Sequence, residues 1–327
     1  MKVRAILAAS LTLAFAFAFT LALNQGTALA QAYPARGITM IIPFPPGTGN
    51  DVIGRALGAK MAESMGQPII AENRAGASGN IAAEAASKAP ADGYTIFIAS
   101  SSFTLNMHLN KLPYTVGSFT GVSLLGKLPY TLVVPATFSA KSMPELVAMA
   151  KARPGALSGA TGGNTTAGFF LLETLKKAAG VDIVPVAYKG TTESIADLMA
   201  ERVHMLFAPM VTSLPLHRSG KLRTLAVTGS KRNSLLPDVP TFTESGFPGL
   251  DIPQWFAILT PAGTPRPIVT RLNEEIIKAM RLKDVQEQLG RLGVEPATST
   301  PEEAEAFVKA DWANWGKAVK DAGVAAP

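Results

Sequence analysis

The stretch that decides the fold is MIIPFPPGTGND, residues 40–51. Its β-branched start ends in three prolines and two glycines, and a segment with apolar residues three to four positions apart follows. This order predicts a strand over 38–42, a stiff turn, and a helix that begins at Asp51 and is capped by Asn50 or Asp51. A glycine turn before a helix presents unpaired backbone N–H groups that suit an anion, although such a turn also occurs for structural reasons alone.

The rest of the chain alternates short apolar runs with amphipathic segments, which is typical of α/β layers and not of sandwiches or bundles. The predicted strands are 38–42, 69–72, 94–99, 131–134, 183–186, 205–207, 222–227 and 256–259. The predicted helices are 52–65, 81–88, 144–151, 169–179, 194–200, 267–280, 285–292 and 301–319. A capping box at Ser142 and Glu145 marks one helix start. The pattern predicts an α/β fold of two lobes, with the C-terminal helices packed back on the first lobe.

The N-terminus has the pattern of a secretory signal peptide. Lys2 and Arg4 precede an uncharged run over 5–23, and an Ala-Leu-Ala sequence that ends at Ala30 matches a small-x-small cleavage site. We expect residues 1–30 to be a signal peptide that is removed near Ala30. The alternative is a membrane anchor, because the apolar run is nearly long enough to span a bilayer.

The composition narrows the class of function. The chain has 327 residues, of which 30 are basic and 24 acidic, and its lysines and arginines are scattered without an aromatic-basic stripe. Nucleic acid is therefore not an expected partner, whereas a mild positive field suits small anions. The chain has no cysteine, which excludes disulfides and thiolate chemistry. The length suggests two domains.

Four polar loops follow predicted strands, at the positions where an open α/β sheet binds ligands. They are 43–51, 159–166, 100–102 and 188–192. The first two are rich in glycine and fall one in each predicted lobe, which indicates a cleft between the lobes. Their backbone amides and the Ser and Thr hydroxyls would bind a carboxylate, because hydrogen bonds to a charged group are about twice as strong as neutral ones.

No catalytic or metal-binding pattern competes with this interpretation. The three histidines, His108, His204 and His217, have no metal-ligand spacing. Ser78 lies in a sequence that departs from the nucleophile elbow at its last position. We therefore expect neither an enzyme nor a bound metal or cofactor. The alternatives that stay open are a ligand sensor that signals through a partner and a secreted α/β hydrolase, which would need a nucleophile–histidine pair.

The motifs IIPFPPGTGNDVIGR, YKGTTESIADLMAERV and LPDVPTFTESGFPG, in this order, resemble those of the Bug-type periplasmic solute receptors of tripartite tricarboxylate transporters. The resemblance extends from Tyr33 to Gly323. It implies a periplasmic, monomeric, two-lobed binding protein of the Venus-flytrap type, in which each lobe is a mostly parallel sheet flanked by helices. Lobe one would comprise 31–131 and 252–327, and lobe two 132–251. The implied ligand is a small carboxylate, and the implied partners are transporter membrane subunits.

The predicted ligand-binding residues come from the polar loops of both lobes. They are Phe44, Gly47, Thr48, Gly49, Ser101, Ser102, Thr161, Gly163, Asn164, Thr165, Thr166, Phe169, Tyr188 and Gly190. Asp51 is predicted to organise its loop without touching the ligand, since a carboxylate would repel a bound carboxylate.

Three positions differ from the usual pattern of the family. Thr48 replaces a glycine, Phe169 replaces a frequent histidine, and His204 occupies a position often held by aspartate. The loss of an imidazole and the gain of a phenyl ring make the pocket more apolar and less suited to a second charged group, which favours aromatic or otherwise hydrophobic carboxylates over amino acids or citrate-like ligands. The alternative for Phe169 is core packing, because it begins a run of four apolar residues.

Overall fold

The computed structural model describes residues 33–252, 254–291 and 293–322. The predicted signal peptide and its cleavage point near Ala30 lie outside the described residues. Residues 33–36 belong to a separate N-terminal unit and contain a cis peptide bond between Tyr33 and Pro34. All further description concerns the unit that begins at Gly37.

The described chain alternates strands with helices over most of its length. The strands are β1 Ile38–Ile42, β2 Ile69–Asn73, β3 Thr95–Ser100, β4 Phe119–Leu128, β5 Tyr130–Pro135, β6 Leu157–Thr161, β7 Ile183–Ala187, β8 Met205–Pro209, β9 Leu222–Val227, β10 Gln254–Pro261 and β11 Glu295–Pro296. The helices are α1 Gly49–Met65, α2 Asn80–Ser87, α3 Ser101–Leu109, α4 Met143–Ala152, α5 Ala167–Ala179, α6 Thr191–Met199, α7 Met210–Arg218, α8 Arg266–Met280, α9 Lys283–Arg291 and α10 Pro301–Ala322. In this part of the chain, no helix is both long and apolar enough to span a bilayer.

The strands form two sheets, each flanked by helices. The first sheet has the order β11-β4-β10-β3-β1-β2, and the second has the order β7-β6-β8-β5-β9. In the first sheet β1 is parallel to β2 and β3, whereas β10 is antiparallel to β3 and β4. In the second sheet β6 is parallel to β7 and β8, whereas β5 is antiparallel to β8 and β9.

Both sheets are therefore mixed, although most strands of each run in the same direction: only β10 and β11 in the first sheet and β5 in the second run against the rest. The antiparallel pairs lie near the two points where the chain passes from one sheet to the other. The chain leaves the first sheet after Leu128 and enters the second at Tyr130, and it returns to the first sheet at Gln254. These strands run against their neighbours. The predicted lobe limit at 131 falls inside β5, two residues beyond the crossing, and the division of the chain into lobes stays a prediction.

Local signals account for the elements that the sequence pattern missed. Strand β4 carries Gly126, whose φ of 142° suits glycine, and its pattern is interrupted there. Helix α3 starts in a serine run that resembles a loop, and α7 contains Pro215. The predicted helix start after Ser142 is confirmed, because the Ser142 hydroxyl accepts a hydrogen bond from the Glu145 N–H. The capping box itself is incomplete, since the Glu145 carboxylate accepts from the Lys141 N–H and not from that of Ser142.

One apolar cluster joins elements that flank different sheets. It contains Leu105 of α3 and Trp315 of α10 together with Phe170 and Leu171 of α5. The Phe170 and Trp315 rings meet edge to face with centroids 5.0 Å apart. This contact places the N-terminal part of α5 against the helices of the first sheet.

Candidate functional site

A small cavity of about 30 Å³ lies between the two sheets, at the ends of strands where the polar loops meet. Its walls are formed by Phe44, Thr48, Gly49, Asn50, Ser102, Tyr130, Gly162, Thr166, Gly168, Thr191, Phe207, Pro209 and Gln254. None of these residues carries a charged side chain. The cavity therefore offers hydroxyls, amides and helix ends to a ligand, with apolar surface from two phenylalanines.

The first loop is organised by the Asp51 carboxylate, which is 4% exposed. One oxygen, Oδ2, accepts a hydrogen bond from the Gly47 N–H at 2.9 Å. The other, Oδ1, accepts from Asn73 Nδ2 at 2.9 Å and from Arg55 Nε at 2.8 Å. Asn73 also donates to the Phe44 carbonyl. This network ties the loop to β2 and to the first turn of α1.

Helix α1 begins at Gly49, two residues before the predicted start, and Thr48 is its N-cap residue. Neither predicted cap has that position, because the Asn50 side chain donates to the Ile98 carbonyl and Asp51 points back to the Gly47 N–H. The first N–H groups of a helix have no partner inside the helix. Three residues of this helix start, Thr48, Gly49 and Asn50, line the cavity.

The second loop brings the start of α5 to the same cavity. The Thr166 hydroxyl caps α5 by accepting from the Phe169 N–H at 3.3 Å, and it donates to the Gly163 carbonyl at 3.2 Å. The buried Thr161 hydroxyl also donates to the Gly163 carbonyl, at 3.0 Å. Thr166 and Gly168 line the cavity. Two helix N-termini, one from each lobe, therefore border one space.

The loops of the two sheets touch directly across the cleft. The Thr192 hydroxyl donates to the Pro46 carbonyl at 3.2 Å, and the Thr165 N–H donates to the Ser78 hydroxyl at 3.3 Å. The Ala167 N–H donates to the Ser102 hydroxyl at 3.3 Å. These bonds join α6, α5 and the loop before α5 to the first lobe, so the cleft is closed in this structure.

The structure brings some of the predicted ligand-binding residues together at the cavity. Those in its walls are Phe44, Thr48, Gly49, Ser102 and Thr166. Those outside the walls are Gly47, Ser101, Thr161, Gly163, Asn164, Thr165, Phe169, Tyr188 and Gly190. Their contact with a ligand stays a prediction.

Two of the residues outside the walls have clear local surroundings. Phe169 is partly buried and does not belong to the walls of this cavity. The Tyr188 hydroxyl donates to Asp197 Oδ2 at 2.7 Å. Burial, together with that carboxylate, raises the pKa of Tyr188 to about 12, so its hydroxyl stays protonated at neutral pH.

The position of His204 separates it from the cavity. It precedes β8, whereas the wall residues Phe207 and Pro209 lie towards the other end of that strand. Its Nδ1 accepts from the Ser158 N–H at 3.0 Å, and its ring packs against Phe138. The described residues contain no cluster of histidine and carboxylate side chains that could bind a metal.

Sequence reasoning missed several wall residues. Those inside the predicted loops or next to them are Asn50, Gly162, Gly168 and Thr191, and proximity alone could have suggested them. Tyr130, Phe207, Pro209 and Gln254 had no such signal. Tyr130 and Gln254 lie where the chain crosses between the sheets. The predicted lobe limits fall within a few residues of these crossings, but no glycine-rich or polar loop marked the two residues as part of the site.

Comparison with known proteins agrees with this geometry. A family model described as "Tripartite tricarboxylate transporter family receptor" matches residues 53–324. Protein BugT of Bordetella pertussis is 36% identical over 298 residues, which are 90% of this chain and 91% of BugT.

Two solved structures are similar over nearly the whole chain. The R. palustris protein Rpa4515, solved with adipate, has a TM-score of 0.86 at 34% identity, covering 90% of this chain and 99% of that one. The periplasmic binding protein BugD has a TM-score of 0.86 at 31% identity, with the same two coverages. The predicted two-lobed α/β fold of a periplasmic binding protein is thereby confirmed. This chain belongs to the tripartite tricarboxylate transporter receptor family, the family that includes the Bug-type receptors it resembles.

Proposed function

We propose that this protein captures a small carboxylate in the periplasm by closing its two lobes, and delivers it to the membrane subunits of a tripartite tricarboxylate transporter. The observation that carries the proposal is the uncharged cavity bordered by the N-termini of α1 and α5. The proposal includes removal of the signal peptide near Ala30 and a monomeric receptor that leaves its ligand chemically unchanged.

The carboxylate head is assigned to the two helix N-termini. A helix N-terminus carries about half a positive charge and unpaired N–H donors, which together suit an anion. Gly49 begins α1 and Gly168 lies in the first turn of α5, and both line the cavity, from opposite lobes. The structure of Rpa4515 with adipate supports a carboxylate as the ligand class.

The ligand body is assigned to the two phenylalanine walls. Phe44 comes from the first loop and Phe207 from β8, so the two rings belong to different lobes. The Phe207 ring stacks on Phe242 in the core, so an apolar ligand body that contacts the Phe44 ring on one side and the β8 segment at Phe207 on the other would favour the closed form. Aromatic or hydrophobic carboxylates are therefore the preferred ligands, and this preference does not depend on Phe169.

Closure is assigned to a shift of population. The hydrogen bonds of Thr192 with Pro46 and of Thr165 with Ser78 exist only when the lobes meet. A ligand that contacts both lobes stabilises the state in which these bonds form. Binding and closure are then one equilibrium, and the transporter subunits recognise the closed form.

The experiment uses the purified protein without residues 1–30 and a panel of carboxylates, each paired with its methyl ester and its amide. A carboxylate is expected to raise the melting temperature and to give a calorimetric titration, whereas its ester and amide are not. Continued product release in the same incubations would contradict the receptor function. Equal binding of ester and acid would contradict the assignment of the head group.

Delivery is tested separately, by uptake of the labelled ligand into vesicles that contain the membrane subunits of the transporter. Uptake that depends on the added receptor is expected. Ligand binding without receptor-dependent uptake would favour a sensor instead.

A further inference from the structure

The floor of the cavity is made by the two places where the chain crosses between the lobes. Tyr130 is the first residue of β5, directly after the first crossing, and Gln254 is the first residue of β10, directly after the second. Both line the cavity and are 3% and 4% exposed. A ligand group at this floor therefore touches both crossings at once.

The carbonyl oxygen of the Gln254 side chain lacks a hydrogen-bond partner. This atom, Oε1, is buried and accepts no hydrogen bond from any residue in the described part of the chain. Buried polar atoms are paired in the great majority of cases, and an unpaired one is costly. An amide oxygen only accepts hydrogen bonds, so this atom needs a ligand group that donates one.

Tyr130 supplies the second polar group of the floor. Its hydroxyl lies beside the Ser101 hydroxyl, which stabilises the ionised form, but burial outweighs this effect and raises the pKa of Tyr130. The phenol therefore keeps its proton and is able both to donate and to accept. Ser101 Oγ is also buried and lacks a well-formed hydrogen bond in the described part of the chain.

Charge decides which ligand group fits this floor. The cavity walls carry no charged side chain, and the two helix N-termini are already assigned to one carboxylate. A second carboxylate or an ammonium would be buried without a counter-charge, which is unfavourable. A hydrocarbon end would leave the Gln254 carbonyl oxygen unpaired.

We propose that Gln254 and Tyr130 select a carboxylate whose far end bears a neutral hydroxyl or carboxamide group, in preference to a second carboxylate or a plain hydrocarbon end. The inference rests on the proposed function, which places the carboxylate head at α1 and α5. A neutral end group of this kind donates to Gln254 Oε1 and exchanges a hydrogen bond with the Tyr130 hydroxyl.

The test is calorimetric titration with two sets of matched acids. The aliphatic set is 6-hydroxyhexanoate, hexanoate and adipate, and the aromatic set is 4-hydroxybenzoate, benzoate and benzene-1,4-dicarboxylate. In whichever set binds, the hydroxy acid is expected to bind most tightly. Gln254→Leu is expected to weaken the hydroxy acid about tenfold and to leave the plain acid unchanged or tighter.

Gln288→Leu is the matched control, because it makes the same substitution at an exposed position of α9. It should leave every affinity unchanged. Tyr130→Phe is the second variant, and it should weaken binding of the hydroxy acid but not of the plain acid. It tests the inference even if Gln254→Leu does not fold.

The outcomes separate the two proposals. Two results would overturn this inference and leave the proposed function standing. One is that the wild type binds the dicarboxylate or the plain acid more tightly than the hydroxy acid; the other is that both variants lose affinity for all acids equally. If the wild type binds none of these acids nor any other carboxylate of the panel, the proposed function fails and this inference fails with it.

Discussion

Substitution of Gly190 tests whether closure is coupled to ligand binding. Gly190 precedes α6 and faces Pro45 of the first loop across the cleft. Its φ of −178° is extended backbone that any residue adopts, so alanine would cause no strain within the second lobe. The Cβ atom of an alanine would, however, lie 2.7 Å from Pro45 Cδ and 2.9 Å from Pro45 Cγ.

The magnitude follows from that distance. Ordinary contacts of a Cβ atom begin near 3.4 Å, so Gly190→Ala requires the lobes to move apart by about 0.7 Å at this point. Inserting a methyl group into a tight contact costs about 1–3 kcal/mol. Because the clash exists only in the closed state, this cost reduces affinity by about 5- to 150-fold. The open form is unaffected.

The assay combines calorimetric titration with melting curves in the absence of ligand. Gly190→Ala should bind the ligand more weakly and melt at the wild-type temperature or slightly below it. Gly290→Ala is the control, because no atom lies within 4 Å of its added methyl group. Wild-type affinity in a folded Gly190→Ala protein would refute the reasoning, since the closed cleft would then have no part in binding.

Three further predictions concern Asp51, Phe169 and Asp311. Asp51→Asn should lower the free energy of unfolding by about 0.5–2 kcal/mol and weaken binding less than about tenfold, because Asp51 organises the loop through Gly47 and Asn73. Calorimetry measures the binding, and a folded variant that binds no ligand would contradict this role. Phe169→His should change the affinities for aromatic and aliphatic carboxylates equally, because Phe169 lies outside the cavity walls; a selective loss of the aromatic acids would identify it as a ligand wall. Burial raises the pKa of Asp311, whose Oδ2 accepts from Thr104, so its contribution to stability is present at low pH and is lost as the pH rises through the raised pKa. Melting curves between pH 3 and about pH 7 should therefore show that the melting temperature falls less with rising pH in Asp311→Asn than in the wild type. An equal fall in both proteins would show that the ionisation of Asp311 does not cause the loss of stability.

Local sequence patterns predicted much of the fold. The bounds of β1 and β9 agree with the prediction, and the helix after Ser142 begins where the capping box places it. The prediction failed where local signals conflict with tertiary structure, as in β4, which contains Gly126, and in α7, which contains Pro215. Local patterns also do not show which strands run against the rest, because that depends on where the chain crosses between the sheets.

The candidate site was predictable in its loops and not in its floor. Glycine, threonine and serine at strand ends indicated the walls that Thr48 and Thr166 form. Tyr130 and Gln254 are ordinary strand residues in the sequence, and only the pairing of β5 and β10 within different sheets brings them to one cavity. Their role depends on contacts between distant segments, which a single sequence does not encode in any local pattern.

A crystal structure of the protein with its tightest-binding carboxylate tests the central claim most directly. The account predicts a closed cleft with the carboxylate oxygens within hydrogen-bond distance of the N–H groups at the starts of α1 and α5, beside Thr48 and Thr166. It would be contradicted by a carboxylate bound elsewhere, for example in the separate cavity of about 330 Å³ whose walls include Lys127, Trp255 and Trp315. A head group held by a charged side chain would contradict it equally.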